Sequence, residues 1–195
     1  MGTRYAYEIL IPRTSVETLI ESVMRHVVDQ DARRLLTNSQ FDFEAEVCGE
    51  VCLTFLFTPD DSIPDFIRID PRSDPATNRV AVGCVWSSIN RGDRYALFEA
   101  TAASSNISSA FLDSPKIRAV FLQIAQESEA LLLAFDDERC SRALVWPLKA
   151  RTREFDIDEF CNDEGKMDID QYGSWLLSEN EHLSLNRADD RVRGE

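Results

Sequence analysis

Apolar and polar residues alternate along this chain in two rhythms, and each change of rhythm marks an element. "RYAYEILIP", from Arg4 to Pro12, is rich in aromatic and branched residues and reads as a strand closed by proline. Thr14 then precedes Glu17 by three positions, the spacing of a helical capping box. Val16, Leu19, Ile20, Val23, Met24, Val27 and Val28 follow at helical spacing, which predicts a helix laying one stripe on a core. Arg25 and His26 fall off that stripe, so His26 is expected at the surface.

A period of two takes over at Phe41. Phe41, Phe43, Ala45 and Val47, then Val51, Leu53, Phe55 and Phe57, alternate with Asp42, Glu44, Glu46, Glu50 and Thr54. A single strand of that length is rare, and Gly49-Glu50 suits a tight turn, so a hairpin is predicted. "DSIPDFIRIDPRSDP" is punctuated by proline and leaves room for a short strand around Phe66 to Ile69. "RVAVGCVWSSI" and "RYALFEATAA" predict two strands about the polar turn Asn90-Arg91-Gly92-Asp93. Turn chemistry accounts for the Arg-Gly-Asp tripeptide there without an adhesive role. Ser114-Pro115 reads as an N-cap with proline at the first helical position, and Ile117, Val120, Phe121, Ile124 and Ala125 form the buried stripe behind it. "EALLLAF" and "RALVWPL" flank Asp136-Asp137-Glu138 as a further hairpin, the alternative being a helix that runs on through Leu131 to Phe135.

Together these elements predict an α+β fold, an antiparallel sheet with two main helices packed on one face. "RYAYEI" at Arg4 and "RYALFE" at Arg94 each open a strand followed by a helix and an apolar hairpin. That echo suggests a duplicated βαββ unit, ferredoxin-like in style, with halves at 1–78 and 79–149 of a core domain spanning 1–149. The polar residues that alternate in the first hairpin leave the other sheet face open to water or to a partner. Residues 150–195 read as an acidic C-terminal segment with a short helix and a frayed polar tail, "NRADDRVRGE".

Charge changes the picture most. The net charge is −14, and the segment from Ala150 onward, with 13 acidic and 6 basic residues, carries half of it. Such a field repels phosphate backbones and anionic lipid, so neither nucleic acid nor membrane is an expected partner, whereas a basic protein is. No apolar run is long enough to span a bilayer and the first residues lack the pattern of a secretory signal, so a cytoplasmic protein is expected. The five cysteines, Cys48, Cys52, Cys84, Cys140 and Cys161, do not suggest a disulfide framework. Cys52 and Cys84 are expected as small hydrophobes in strands. With His26 and His182 the only imidazoles, no zinc site is predicted.

The densest chemistry lies in "DIDEFCNDEGKMDIDQYGSW", Asp156 to Trp175, with seven carboxylates and one lysine. Aligned as a calcium loop, Gly165 and Met167 take the glycine and apolar positions, but the first ligand becomes Phe160 and the bidentate one Gln171. The pattern fails where calcium needs it, and no metal is predicted. Ile169, Tyr172, Trp175 and Leu176 fall at helical spacing, as in a short helix docked by its apolar edge. No dinucleotide, P-loop, serine-hydrolase or metalloprotease pattern occurs, and the pairs Asp60-Asp61 and Asp136-Asp137 are adjacent and turn-like. No catalytic residue or cofactor is therefore expected.

The expectation is a non-catalytic protein-interaction domain with an acidic binding surface, of the functional kind that includes small acidic inhibitors and immunity proteins. Asp156, Asp158, Glu159, Asp163, Glu164, Asp168 and Asp170 would steer a basic partner, with Tyr172 and Trp175 as anchors. The plainer alternative is a solvated acidic appendage with those aromatics in the core. The rival function is a small-molecule binder or enzyme with a pocket between the sheet and the C-terminal segment, its only sequence support the unassigned Cys84, Trp86 and Trp146. Homo-oligomerisation stays open.

Overall fold

A computed structural model describes residues 5–38, 51–63, 78–102, 104–137, 141–163 and 165–192. The strands are β1 (Ala6–Pro12), β2 (Val51–Phe57), β3 (Val80–Arg91), β4 (Tyr95–Ala102), β5 (Leu132–Asp136), β6 (Arg142–Trp146) and β7 (Ala150–Arg151). The helices are α1 (Val16–Met24), α2 (Ala32–Asn38), α3 (Ser105–Asp113), α4 (Pro115–Glu127) and α5 (Ile169–Val192). Among the described residues, seven strands form one antiparallel sheet in the order β2-β3-β4-β1-β5-β6-β7. The fold is α+β, as the pattern predicts.

β1 is the central strand, and it is buried from Ala6 to Ile11 because both faces of the sheet are covered. Tyr7, Ile9 and Ile11 point into one core with Phe55, Phe57, Phe111 and Phe121. The Tyr7 and Phe121 rings stack at 4.4 Å, and the Tyr7 hydroxyl donates to the Phe111 carbonyl at 3.0 Å. α1 and α4 cover this face and are clamped together by Glu127. Its carboxylate accepts from Ser22 Oγ at 2.6 Å, Arg25 Nη2 at 2.5 Å and Gln123 Nε2 at 2.8 Å, bonds that hold its pKa down at about 2. α4 starts where the sequence marks it: Ser114 Oγ accepts from Ile117 N at 3.1 Å, with Pro115 at the first position. The same serine ends α3, a helix the sequence pattern did not announce, through Ser114 N donating to the Ala110 carbonyl. The hairpin reading of residues 131–146 holds as β5 and β6.

The other face of β1 carries Leu10 into a second core with Leu97, Leu132, Ala134 and Leu144. Phe160, Ile169, Tyr172 and Leu176 from the C-terminal segment close it. The expected open face is thus covered over its centre, and the chain forms a helix–sheet–helix sandwich. The expected short helix and the described part of the expected frayed tail are one helix of 24 residues. Gly173 is what brings it close: a Cβ there would meet Leu10 and Tyr95 side-chain carbons at 3.0 Å.

A buried polar network fastens this layer. Glu8, 2% exposed, lies on β1 beneath α5, and Arg142 Nε donates to both its oxygens at 2.9 and 3.0 Å. Tyr172 Oη donates to Glu8 Oε2 at 2.8 Å, and Arg142 Nη1 pairs with Asp136 at 3.1 Å. The guanidinium also lies 5.1 Å over the Phe155 ring. Burial alone disfavours the Arg142 cation, but Glu8, Tyr172 and Asp136 more than offset it, and its pKa is raised. Burial and the Glu8 charge raise the Tyr172 phenol, which keeps it a donor.

Three expectations are corrected. α1 is preceded by a 3₁₀ turn, Arg13–Ser15, and its cap makes no side-chain hydrogen bond, so the Thr14–Glu17 box does not form. The helix also stops at Met24. Val27 bridges to Phe55, and the His26 carbonyl accepts from Leu56 N at 2.7 Å, so helical spacing no longer governs position 26. His26 is therefore buried, 6% exposed, rather than on the surface. Cys52 is exposed on β2 instead of packed, and the Cys84 side chain is outside the described set. The predicted strand over Phe41 to Val47, the Gly49-Glu50 turn and the short strand at Phe66 to Ile69 also lie outside the described residues. Duplication and a ferredoxin-like arrangement are not confirmed by the strand order: β4 neighbours β3, the last strand before it, whereas β1 neighbours β5.

Removing the cation from the network should be costly. Arg142→Ala is expected to lower the unfolding free energy in urea by about 3–5 kcal/mol, because Glu8 is left buried and unpaired. Tyr172→Phe is expected to cost about 1–3 kcal/mol, the loss of one hydrogen bond to a buried carboxylate. An Arg142→Ala variant as stable as wild type would show that Glu8 reaches water. A second expectation concerns acid. His26 Nε2 is buried without a hydrogen-bond partner. Burial lowers the His26 pKa; Glu127 opposes this, while Arg79 and Arg25 add to it. The unfolded chain protonates this residue near pH ~6.5 while the folded chain resists, so stability falls as pH drops below about 6.5. His26→Gln should flatten the fall in urea midpoint between about pH 7.5 and about pH 5.5; an unchanged slope would rule the histidine out as its source.

Candidate functional site

The acidic stretch is folded throughout its described part. After β7 the chain crosses the second sheet face, and Phe155 packs on Trp175 at 4.4 Å, on Phe160 at 5.8 Å and on Tyr172 at 6.1 Å. This aromatic cluster is the platform on which the carboxylates are displayed. Asp156 caps a 3₁₀ turn, Ile157–Phe160, by accepting from Asp158 N at 3.1 Å. Cys161 and Met167 then bridge across a tight loop, with Asn162 N donating to the Lys166 carbonyl and Asn162 Oδ1 accepting from Lys166 N. Gly165 turns that loop with φ of 75°, a left-handed conformation that glycine adopts without strain. Asp168 caps α5, its Oδ1 accepting from Asp170 N and Gln171 N, both at 3.0 Å.

Eight of the nine expected site residues are described, and they fall into three groups. Asp156, Asp158, Glu159, Asp163 and Asp168 are exposed along the 156–168 segment, while Glu164 lies outside the described residues. Tyr172 is fully buried with its hydroxyl on Glu8, so it offers no surface to a partner; Trp175 is half-buried beside it. Asp170 turns inward. Its carboxylate accepts from the main-chain N–H groups of Asp93, Arg94 and Tyr95 at 2.7, 2.9 and 3.0 Å, tying α5 to the β3–β4 turn. The Arg-Gly-Asp tripeptide is that turn, and a Cβ on Gly92 would lie 2.6 Å from Asp170 Oδ1. Read as a calcium loop, the segment places Phe160 in the aromatic cluster instead of at a ligand position. Among the described residues no three His, Cys, Asp or Glu side chains converge on a common point as a cation requires.

Comparison with protein-family models, with curated proteins and with solved structures returned no match in any of the three. Function therefore has to be read from this chain alone.

A second feature lies where the rival reading expected a pocket, between the sheet and the C-terminal segment, but is lined by residues that reading did not name: a groove of about 570 Å3 between the sheet edge and α5. Arg151, Thr152 and Arg153 form one wall, and Glu179, His182 and Leu183 the other. The signal was present in the sequence: Lys149, Arg151 and Arg153 alternate within a stretch otherwise dominated by acids. Thr152 Oγ1 accepts from Arg142 N at 2.8 Å, so the inner side of this edge is tied to the buried network.

The Asp170 tether yields a direct test. Burial raises the Asp170 carboxyl, but the three main-chain donors and the Arg94 charge outweigh it, and the pKa is lowered. Its contribution to stability is therefore complete above the unfolded value near pH ~4 and is lost as pH falls through the folded value. Gly92→Ala is expected to cost about 1–3 kcal/mol in the wild-type background through crowding. It should cost far less once Asp170→Ala has emptied the space, a coupling that a double-mutant cycle measures. Strict additivity would mean the two residues do not meet.

Proposed function

We propose that this chain is a non-catalytic protein-interaction domain that offers an acidic face to a basic partner, in the functional manner of small acidic inhibitors and immunity proteins. The observation that carries the reading is the display of Asp156, Asp158, Glu159, Asp163 and Asp168 as exposed carboxylates on a segment already held by capping bonds and an aromatic cluster. A surface ordered before binding loses little conformational entropy on association. A chain of net charge −14 supplies the long-range field that steers a cationic partner toward it. Trp175 at the edge of the cluster, half-buried, is the one expected anchor with surface left to give. Catalysis draws no support from the acidic segment, whose carboxylates are spread along a rim instead of facing one another across a cleft.

The test is a comparison of wild type with a variant carrying Asp156→Asn, Asp158→Asn, Glu159→Gln and Asp163→Asn. Asparagine still caps at position 156, so the fold is retained. Each protein is immobilised, exposed to a lysate of the native host and eluted stepwise with salt. Wild type is expected to hold a basic protein that the variant loses or releases at lower salt. With that protein purified, the association rate should fall about tenfold in the variant and depend less steeply on ionic strength. Equal retention by both proteins, or no retained basic protein, would sink the reading.

A further inference from the structure

The groove between β7 and α5 has two arginines and a histidine among its lining residues. Accounting for its polar groups shows what is left to bind with. Arg151 uses both terminal nitrogens on Asp137 and Ser141, at 2.7 Å for the closest bond to each. Arg187 donates from α5 to the Lys149 carbonyl and holds that end of the edge. Glu179, 7% exposed, is consumed by one residue: its carboxylate accepts from Arg153 N at 3.3 Å and pairs with Arg153 Nε at 3.1 Å. Arg153 is thus tied at its backbone and ion-paired at Nε while its side chain stays 69% exposed, and among the described residues its two terminal nitrogens make no hydrogen bond. The terminal N–H groups of an arginine form a planar fork, the geometry that grips a carboxylate or phosphate.

His182 stands on the facing wall. Its Nε2 lies 3.1 Å from Asn186 Nδ2, which leaves the other ring nitrogen, Nδ1, for a ligand. The one carboxylate lining the groove is already spent on Arg153, and Leu183 adds an apolar surface beside the donors. The volume lies in the range of about 300–1,000 Å3 typical of small-ligand sites.

From this we infer that the groove is a binding site for a small organic anion, its oxyanion group gripped by the terminal nitrogens of Arg153 and by His182, and its apolar part lying against Leu183. The site is separate from the acidic rim and does not depend on it.

Two probes share the chemistry and differ in the anion: phenyl phosphate and phenylacetate, each titrated against sodium chloride at matched ionic strength. The readout is the NMR shift of the Arg153 Nε–H and His182 ring signals. Saturable shifts of both signals with at least one probe, and none with chloride, are expected. A response to phenyl phosphate alone assigns the natural ligand a phosphate; a response to both admits a carboxylate. Arg153→Lys keeps a cation near Glu179 but removes the fork, and should weaken binding about tenfold or more. His182→Gln, on an exposed helix face, should weaken it by a smaller factor without loss of fold. The rim variant described above should bind the probes as wild type does. The inference is overturned if neither probe gives a saturable shift, or if Arg153→Lys and His182→Gln together bind as well as wild type.

Discussion

A carboxylate placed at the middle of a central strand, under a helix, has to be answered by a cation or lifted back into water. Glu8 occupies that position, and Arg142 on β6 answers it, with Tyr172 of α5 donating to one of the same oxygens. The cost of burying such a pair is repaid only where the remaining hydrogen-bonding capacity is also used. Here Asp136 takes a terminal nitrogen of Arg142, Thr152 takes its main-chain N–H, and Phe155 covers the guanidinium. The network therefore fixes more than one contact. It sets where the C-terminal segment crosses the sheet and where the helix that follows can lie. Both the acidic rim and the cationic groove inherit their positions from it.

The elements that could be read from sequence are those whose local chemistry is also their tertiary role. The Ser114-Pro115 helix start, the strands on either side of Gly92 and the apolar hairpin after Leu131 all formed where the pattern put them, because each is an apolar run or stripe bounded by capping or turn residues that the fold also uses. His26 was misplaced for the converse reason: the helix ends before it, and its surroundings come from β2, across the fold. The length of α5 escaped the pattern because only its first two turns bury apolar residues against the sheet. Beyond Leu183 its residues are largely solvated, which reads as a tail. Gly173 looked like a weak point in a helix; in the fold it is the position at which helix and sheet come closest.

The candidate site was legible in part. Composition located the acidic rim, and five of its carboxylates are exposed together. It could not separate them from Asp170 and Tyr172, which share the same stretch but are spent inside, because that distinction depends on partners at positions 8 and 93–95. The arginines of the groove were hidden differently. In a chain so acidic a few cations count as compensation, until the fold places the terminal nitrogens of Arg153 beside His182 and Leu183 along one trough.

Glu8 and Tyr172 are separated by 164 positions, and this has a consequence for synthesis. A nascent chain can pair β1 with β4 and seat α1 and α4 on the first face well before α5 exists. Through that interval Leu10, Leu97 and Leu132 form a bare apolar strip around a glutamate that is still hydrated. The charge in the strip guards it, since another chain's apolar surface would bury the carboxylate without the Tyr172 hydroxyl that satisfies it in the folded chain. When α5 arrives, the same glutamate changes from a deterrent into a latch.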